Sequence, residues 1–155
     1  MLPFQTHPPA YKAQHRPADN DEDAIAAVLK QSQYSQHVNV YSVVHSVEQM
    51  MNALQSFDLV IGTRLHSLIL AAGLGIPVLA AVYDPKVSGF MSEIDQQTNS
   101  ISVKHFTLET VQPRLDALLG HNLQTYDEFL HAVDRYRQQM TPVVHKLGRL
   151  VDGHE

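Results

Sequence analysis

Cysteine and tryptophan are both absent from this sequence of 155 residues. Without cysteine the protein can form neither a disulfide framework nor a zinc site with thiolate ligands. No apolar run comes near the roughly 20 residues that a membrane-spanning helix requires, so a membrane span is not expected. The first residues, Met1 to Phe4, also lack the basic segment that opens a secretory signal peptide. Together these absences favour a soluble protein of the cytoplasm.

Positive charge is scarce as well: 11 Lys and Arg residues stand against 16 Asp and Glu residues, which gives a net charge of −5. This balance is unfavourable for binding nucleic acid phosphates, so nucleic acid is not an expected partner. An anionic ligand would have to be held by a few local cations. The ten histidines are scattered and form no His-x-x-x-His or His-Glu-x-x-His pair. Neither a metal ion nor a bound cofactor is therefore predicted.

Hydrophobic residues make up 44% of the chain, enough at this length to bury one sizeable core. Their spacing alternates between strand and helix patterns. Strands are predicted at residues 2–5, 38–44, 58–61, 78–82 and 100–103, and helices at 21–31, 46–56, 63–74, 87–94 and 107–119, with a polar loop over 6–17. This alternation favours an α/β fold over residues 1–124, a Rossmann-like parallel sheet with helices on both faces.

Residues 125–155 are predicted to form a helical extension. Pro142 interrupts it, so we expect a kink or a second helix that Thr141 caps, with Pro142 at its first position. The extension has an apolar seam that packs either on the sheet of this chain or on a partner domain. Its residues recur at alternating spacings of four and three: Phe129, Val133, Tyr136, Met140, Val143, Leu147 and Leu150.

Two polar loops follow predicted strands at the carboxyl ends of those strands, where open α/β sheets bind ligands. The first loop covers residues 62–67 and the second covers residues 83–86. With Thr63 as the N-cap, Arg64 and His66 would be the first and third residues of a helix. The free N–H groups of such a first turn favour an anion.

Arg64, His66 and Lys86 are the residues that could perform chemistry at this edge. The guanidinium of Arg64 and the ammonium of Lys86 could bracket a small dianion. The imidazole of His66 could act as a general acid or base. Each residue taken alone also fits an ordinary role: an ion pair, a hydrogen bond to a loop, or a solvated lysine. Their joint position beside an otherwise apolar helix and strand favours an anion site.

Neighbouring side chains have structural interpretations. Tyr83 and Phe90 are predicted to be packing residues, and Asp84 is predicted to hold a turn before Pro85. The proposed chemistry therefore depends on the three residues named above.

Three segments resemble the C-terminal domain of polysaccharide pyruvyl transferases. They are Asp-Leu-Val-Ile-Gly-Thr-Arg-Leu-His-Ser-Leu-Ile-Leu-Ala-Ala from Asp58, Gly-Ile-Pro-Val from Gly75, and Tyr-Asp-Pro-Lys-Val from Tyr83, with Phe90 following. The Arg-Leu-His triplet by itself is a weak signal, but the triplet followed at this distance by Tyr-Asp-Pro-Lys is specific. The resemblance is strongest over residues 57–94 and extends more loosely over residues 1–120.

The resemblance implies one half of a two-domain fold like that of B-type (GT-B) glycosyltransferases, with the active site in the cleft between two Rossmann-like halves. It implies transfer of pyruvate from phosphoenolpyruvate to a sugar hydroxyl, as a ketal, in the biosynthesis of exopolysaccharides or cell-wall polysaccharides. The acceptor would be a sugar, a polysaccharide or a lipid-linked oligosaccharide. The enzyme would then work in the cytoplasm or at the inner face of the membrane.

By the same resemblance, His66 matches the catalytic histidine of the family and Arg64 matches a donor-binding arginine, with Lys86 at the same site. The resemblance also implies donor contacts for Thr63, Ser67 and the backbone of Leu65. Supporting positions are implied for three residues: Gly62, Tyr83 and Asp84.

The sequence accounts for only one of the two domains of that family. We therefore expect a fragment, a separately encoded half-enzyme, or a chain that needs a partner, and assembly with copies of itself stays open. A nucleotide-sugar glycosyltransferase half would have the same architecture, but it needs a carboxylate for a ribose and a base pocket, and the sequence shows neither convincingly. A catalytically silent module that binds an anion or mediates assembly is a further alternative.

Overall fold

The structure, a computed structural model, describes residues 21–40, 46–120 and 123–152. Contacts divide the chain into two compact units, Met1–Asn52 and Ala53–Glu155. The strand predicted at residues 2–5 and the polar loop at 6–17 lie outside the described residues.

The first unit contains helix α1, Asp21–Gln31, whose predicted bounds are confirmed at both ends. Helix α2, Val47–Leu54, crosses from this unit into the second. The hydroxyl of Ser46 accepts a hydrogen bond from the backbone N–H of Gln49 at 3.2 Å, which is one half of a capping box. A strand was predicted at residues 38–44. Val38 has an extended backbone, but residues 38–40 form no strand, and residues 41–45 lie outside the described residues.

The second unit is built on three parallel strands in the order β1-β2-β3: β1 is Val60–Gly62, β2 is Val78–Val82 and β3 is Ser100–Ser102. Three helices alternate with them or follow them, namely α3 (Leu65–Gly73), α4 (Pro85–Glu93) and α5 (Leu108–Leu119). The predicted α/β fold with a parallel sheet is confirmed.

Helices cover both faces of this sheet. Leu79 and Ile101 point to one face, where they pack against Val111 of α5. Gly62 is in register with Ala80 and therefore points to the opposite face, towards Ser67 and Leu68 of α3. The sheet thus separates α3 from α5, as the sequence pattern predicts.

Element boundaries differ from the prediction where a cap sets them. Helix α4 begins at Pro85 and not at residue 87, because Asp84 caps it and proline fits the first helical position. Strand β3 ends at Ser102, since a 3₁₀ turn, Val103–His105, follows it directly. At the start of α5, the hydroxyl of Thr110 accepts a hydrogen bond from the backbone N–H of Thr107 and so caps the first turn of the helix.

The C-terminal helix α6, Leu123–Asp152, runs through Pro142 as one helix. The prediction that Thr141 caps a second helix is wrong. Its hydroxyl donates instead to the carbonyl of Arg137, one turn earlier, at 2.9 Å. Pro142 has no backbone N–H, so one hydrogen bond of the helix is missing there, but the helix continues on both sides of it. Within the described ranges, no helix is long and apolar enough to cross a membrane.

The first half of α6 packs on the second unit. Phe129, Ala132 and Val133 are buried, and Tyr136 meets Phe90 of α4 edge to face with ring centroids 5.6 Å apart. In the second half the apolar residues are exposed: Met140, Val143, Val144 and Leu147. The predicted seam therefore packs on its own unit over the first half of the helix.

Candidate functional site

The two polar loops leave neighbouring strands at the same edge of the sheet. Strands β1 and β2 pair in parallel, with Gly62 opposite Ala80. The chain leaves β1 at Gly62 and enters α3 at Leu65; it leaves β2 at Val82 and enters α4 at Pro85. Both loops therefore lie at the carboxyl edge, and each leads into the N-terminus of a helix of nine residues.

Arg64, and not Thr63, is the N-cap of α3. Its backbone is extended, with φ −94° and ψ 132°, and its side chain makes no capping hydrogen bond. The carbonyl of Arg64 accepts the first helical hydrogen bonds, from the N–H groups of Ser67 and Leu68. Leu65 and His66 are then the first and second helical residues, each one position earlier than predicted. Arg64 and His66 nevertheless stay in the turn whose N–H groups face the edge.

The start of α3 carries accessible polar residues, whereas one face of the helix beyond it is buried. Thr63 and His66 are exposed, and Arg64 and Leu65 are half-buried. The helix then buries Leu68, Ala71 and Ala72. This confirms the sequence pattern of a polar turn at the start of an otherwise apolar helix.

In the second loop, Asp84 fixes both the start of α4 and the side chain of Lys86. Its carboxylate accepts a hydrogen bond from the backbone N–H of Lys86 at 3.0 Å. A second carboxylate oxygen lies 3.3 Å from the ammonium of Lys86. The pKa of Asp84 lies below its ordinary value, chiefly because of the backbone hydrogen bond and further because of the Lys86 ammonium. An anion bound by Lys86 would therefore share that ammonium with Asp84.

This capping role of Asp84 was not predicted, although the sequence contains a signal for it. An aspartate followed by proline at the start of a helix is a common N-cap arrangement, because the carboxylate satisfies a free N–H and proline lacks one. Asp84 does lie in the turn before Pro85, as predicted, but its carboxylate also caps the helix.

Two aromatic residues near the site differ in burial. Phe90 is buried against Tyr136, so its predicted packing role is confirmed. Tyr83 is 53% exposed, so the prediction that it packs is wrong. It follows the last residue of β2, at the point where the chain leaves the sheet, and its ring stays available at the edge.

Chemically, the edge offers two basic side chains, an imidazole and the N–H groups of two helix starts. Such groups can hold a small anion and transfer a proton to it. Within the described residues, no group of three or more His, Asp or Glu side chains could hold a metal ion.

A cleft of about 380 Å³ lies elsewhere in the second unit. It opens at the amino ends of β1 and β2, the edge opposite the two polar loops. Its lining residues are Phe57, Asp58, Leu74, Gly75, Ile76, Pro77, Leu123 and Tyr126. None of the predicted site residues contributes to it.

Comparison with known families identifies a match for part of the chain. Residues 10–85 match the family model described as polysaccharide pyruvyl transferase. The match contains β1, α3, β2 and both strand-to-helix loops as far as Pro85, and Lys86 is the first residue beyond it. A search of solved structures gave no match. The resemblance recognised in the sequence is thus confirmed over residues 10–85, the part of the chain that matches this family model.

Proposed function

We propose that this chain is the donor-binding half of a polysaccharide pyruvyl transferase and that it binds phosphoenolpyruvate at the carboxyl edge of β1 and β2. One observation carries the proposal. Two helix first turns, one bearing Arg64 and His66 and the other bearing Lys86, start from neighbouring parallel strands in or directly beside the segment that matches the family.

The donor carries two anionic groups, a carboxylate and a phosphate. The planar fork of Arg64 suits either group in a bidentate contact, and the ammonium of Lys86 supplies a compact charge for the other. Thr63 and the backbone N–H of Leu65 complete the donor contacts at the start of α3. Local cations of this kind are required because the chain as a whole carries a net charge of −5.

His66 acts as the general acid in the proposed reaction. It donates a proton to the methylene carbon of phosphoenolpyruvate, which becomes a methyl group and leaves positive charge on the adjacent carbon. One sugar hydroxyl adds to that carbon. A second hydroxyl of the sugar then forms the other C–O bond while the bond to phosphate breaks. Of the two hydroxyl protons released, one restores His66 and the other leaves with phosphate. The products are a pyruvate ketal and phosphate.

The acceptor in this proposal is a sugar within a polysaccharide or a lipid-linked oligosaccharide. Its hydroxyls approach from the open side of the edge, where Tyr83 and His66 are exposed. A further domain or a partner chain supplies the second wall of the cleft. The reaction needs no metal ion or bound cofactor, because the donor itself carries the reactive group. It takes place in the cytoplasm or at the inner face of the membrane.

Calorimetric titration of the chain with phosphoenolpyruvate, and separately with a nucleotide sugar, tests this proposal. Saturable binding of phosphoenolpyruvate supports it. Binding of the nucleotide sugar instead would assign the chain to the glycosyltransferase alternative. Heat from neither ligand would identify a module without donor binding and would overturn the proposal.

A further inference from the structure

Ser67 occupies an unusual position in the first turn of α3. It is a polar residue, yet only 4% of its surface is exposed. Burying a hydroxyl costs free energy unless the hydroxyl is hydrogen-bonded. The hydroxyl of Ser67 donates to the carbonyl of Arg64 at 2.6 Å.

The carbonyl of Arg64 is therefore held from three directions. It accepts the Ser67 hydroxyl and, in addition, the backbone N–H groups of Ser67 at 3.1 Å and Leu68 at 3.4 Å. Arg64 has no capping side chain of its own. The Ser67 hydroxyl thus fixes the peptide that links the N-cap to the helix, and with it the directions in which Arg64 and His66 leave the backbone.

Gly62 provides the space for this hydroxyl. A Cβ at Gly62 would lie 2.7 Å from the Ser67 oxygen and 2.8 Å from a methyl carbon of Leu68. Real Cβ atoms essentially never come that close to another atom, so any larger residue would have to move the hydroxyl. The backbone of Gly62 is not in the left-handed region. Glycine is required here by the space that Ser67 and Leu68 occupy, and not by its backbone angles.

We propose that Ser67 is a positioning residue for the site and does not itself contact the donor. Its hydroxyl holds the Arg64 peptide so that Arg64 and His66 face the edge together, and Gly62 keeps the place of that hydroxyl open. This inference deepens the proposed function and rests on it for the identity of the ligand.

The first experiment compares Ser67→Ala with a matched serine. Ser56 makes the same type of bond, from its hydroxyl to the carbonyl three residues earlier, at 2.7 Å, and it is exposed and away from the edge. Phosphoenolpyruvate binding, measured by calorimetry, should be weaker by roughly five- to tenfold in Ser67→Ala, the range expected for one lost hydrogen bond. Ser56→Ala should bind as the unchanged chain does. Equal affinity of Ser67→Ala and the unchanged chain would overturn the inference.

Amide hydrogen exchange supplies a readout that does not need the ligand. In Ser67→Ala the amides of Ser67 and Leu68, which donate to Arg64, should exchange faster while those of Leu74 and Gly75 keep their rates. Loss of binding with unchanged exchange would identify a direct donor contact and would contradict the positioning role. Faster exchange throughout the second unit, with a lower melting temperature, would indicate a purely structural residue and would also contradict it.

These measurements distinguish a failure of the proposed function from a failure of the positioning role of Ser67. If the unchanged chain binds no phosphoenolpyruvate, the proposed function falls, and the exchange rates alone decide whether Ser67 holds the turn. Faster exchange confined to residues 64–68 would then support the positioning role, and unchanged exchange would end it.

A second variant guards against poor folding of the first. Gly62→Ala should displace the Ser67 hydroxyl and weaken binding by a similar factor. In the Ser67→Ala background the closest contact of the added methyl group, with the Ser67 oxygen, is removed, although the contacts with Leu68 at 2.8 and 3.0 Å remain. The combined loss should therefore be smaller than the product of the two single losses. A combined loss equal to that product would show that the two residues act separately and would contradict the inference.

Discussion

At the scale of single residues, the candidate site is held by hydrogen bonds to backbone groups. The carboxylate of Asp84 accepts the N–H of Lys86, and the hydroxyl of Ser67 donates to the carbonyl of Arg64. Each bond fixes the start of one helix and, with it, one basic side chain. Two separate contacts therefore orient the cations of the site, one on each loop.

Replacing His66 by alanine should separate catalysis from binding. In an assembly that turns over, His66→Ala should abolish phosphate release, because the proton donor is lost, while phosphoenolpyruvate still binds to Arg64 and Lys86. Phosphate release and calorimetry measure the two effects. His131, which is exposed on α6, offers a control substitution that should change neither. An equal loss of binding and turnover would assign His66 a binding role only.

Asp84 makes the stability of the second unit depend on pH in a defined direction. Its pKa is lowered in the folded chain, so its stabilising contribution is fully present above the unfolded value and is lost as the pH falls through the lower folded value. Asp84→Asn keeps a capping side chain without the charge. The difference in melting temperature between the unchanged chain and Asp84→Asn should be constant from pH 5 to 7, about a unit or more above the ordinary aspartate pKa.

Below about pH 4, the ordinary value for aspartate, that difference should shrink. Asp84→Ala, which also removes the cap, should melt lower than Asp84→Asn at every pH. A difference that grows as the solution becomes more acidic would contradict the assignment, since it would place the pKa of Asp84 above its ordinary value.

At the scale of elements, apolar periodicity predicted the helices and the three strands of the sheet, and local capping decided their ends. The bounds of α1 and β2 follow directly from runs of apolar residues. The start of α3 could not be predicted in the same way: Thr63 is the better N-cap by residue type, but Arg64 takes that position because the Ser67 hydroxyl binds its carbonyl. Such a bond depends on burial, which single-sequence spacing does not give.

Two glycines with opposite surroundings test the description of the elements. Gly75, between α3 and β2, has a φ of 77°, where an alanine is strained. Gly75→Ala should therefore destabilise the unit by about 1–2 kcal/mol. Gly89, inside α4, has no atom within 4 Å of an added Cβ, so Gly89→Ala should stabilise the helix by about 0.5–1 kcal/mol.

Chemical denaturation of both glycine variants measures these changes. The same sign for both would contradict the description, because of these two glycines Gly75 has left-handed backbone and Gly89 has not. The hydroxyl of Tyr126 also donates to the carbonyl of Gly75 at 2.9 Å, so a shift of this loop would reach the start of α6.

The two halves of α6 should respond differently to substitution. Phe129 is 4% exposed and packs in the second unit, so Phe129→Ala should cost about 3–5 kcal/mol of the free energy of unfolding. Leu147 is 57% exposed in the second half, so Leu147→Gln should change that free energy by no more than about 0.5 kcal/mol. Denaturation of the isolated chain measures both, and a large loss for Leu147→Gln would show that the second half is packed in solution.

At the scale of the whole molecule, the parallel sheet and the position of the two loops could be predicted from the sequence, because strand and helix patterns alternate and place both loops at the carboxyl edge. The family could be predicted because Arg-Leu-His and Tyr-Asp-Pro-Lys occur at a specific distance. Two features of the site could not be predicted, because both depend on side-chain packing at the edge. They are the ion pair of Lys86 with Asp84 and the exposure of Tyr83.

The central claim is that residues of both loops share one anion site. Titration of the ¹⁵N-labelled chain with phosphoenolpyruvate, followed by ¹H–¹⁵N NMR, tests it most directly. Saturable shifts should appear together, with one dissociation constant, at the amides of residues 63–67 and 83–86. Shifts confined to one loop, shifts at the cleft on the opposite edge around Asp58 and Ile76, or no saturable change would contradict the account.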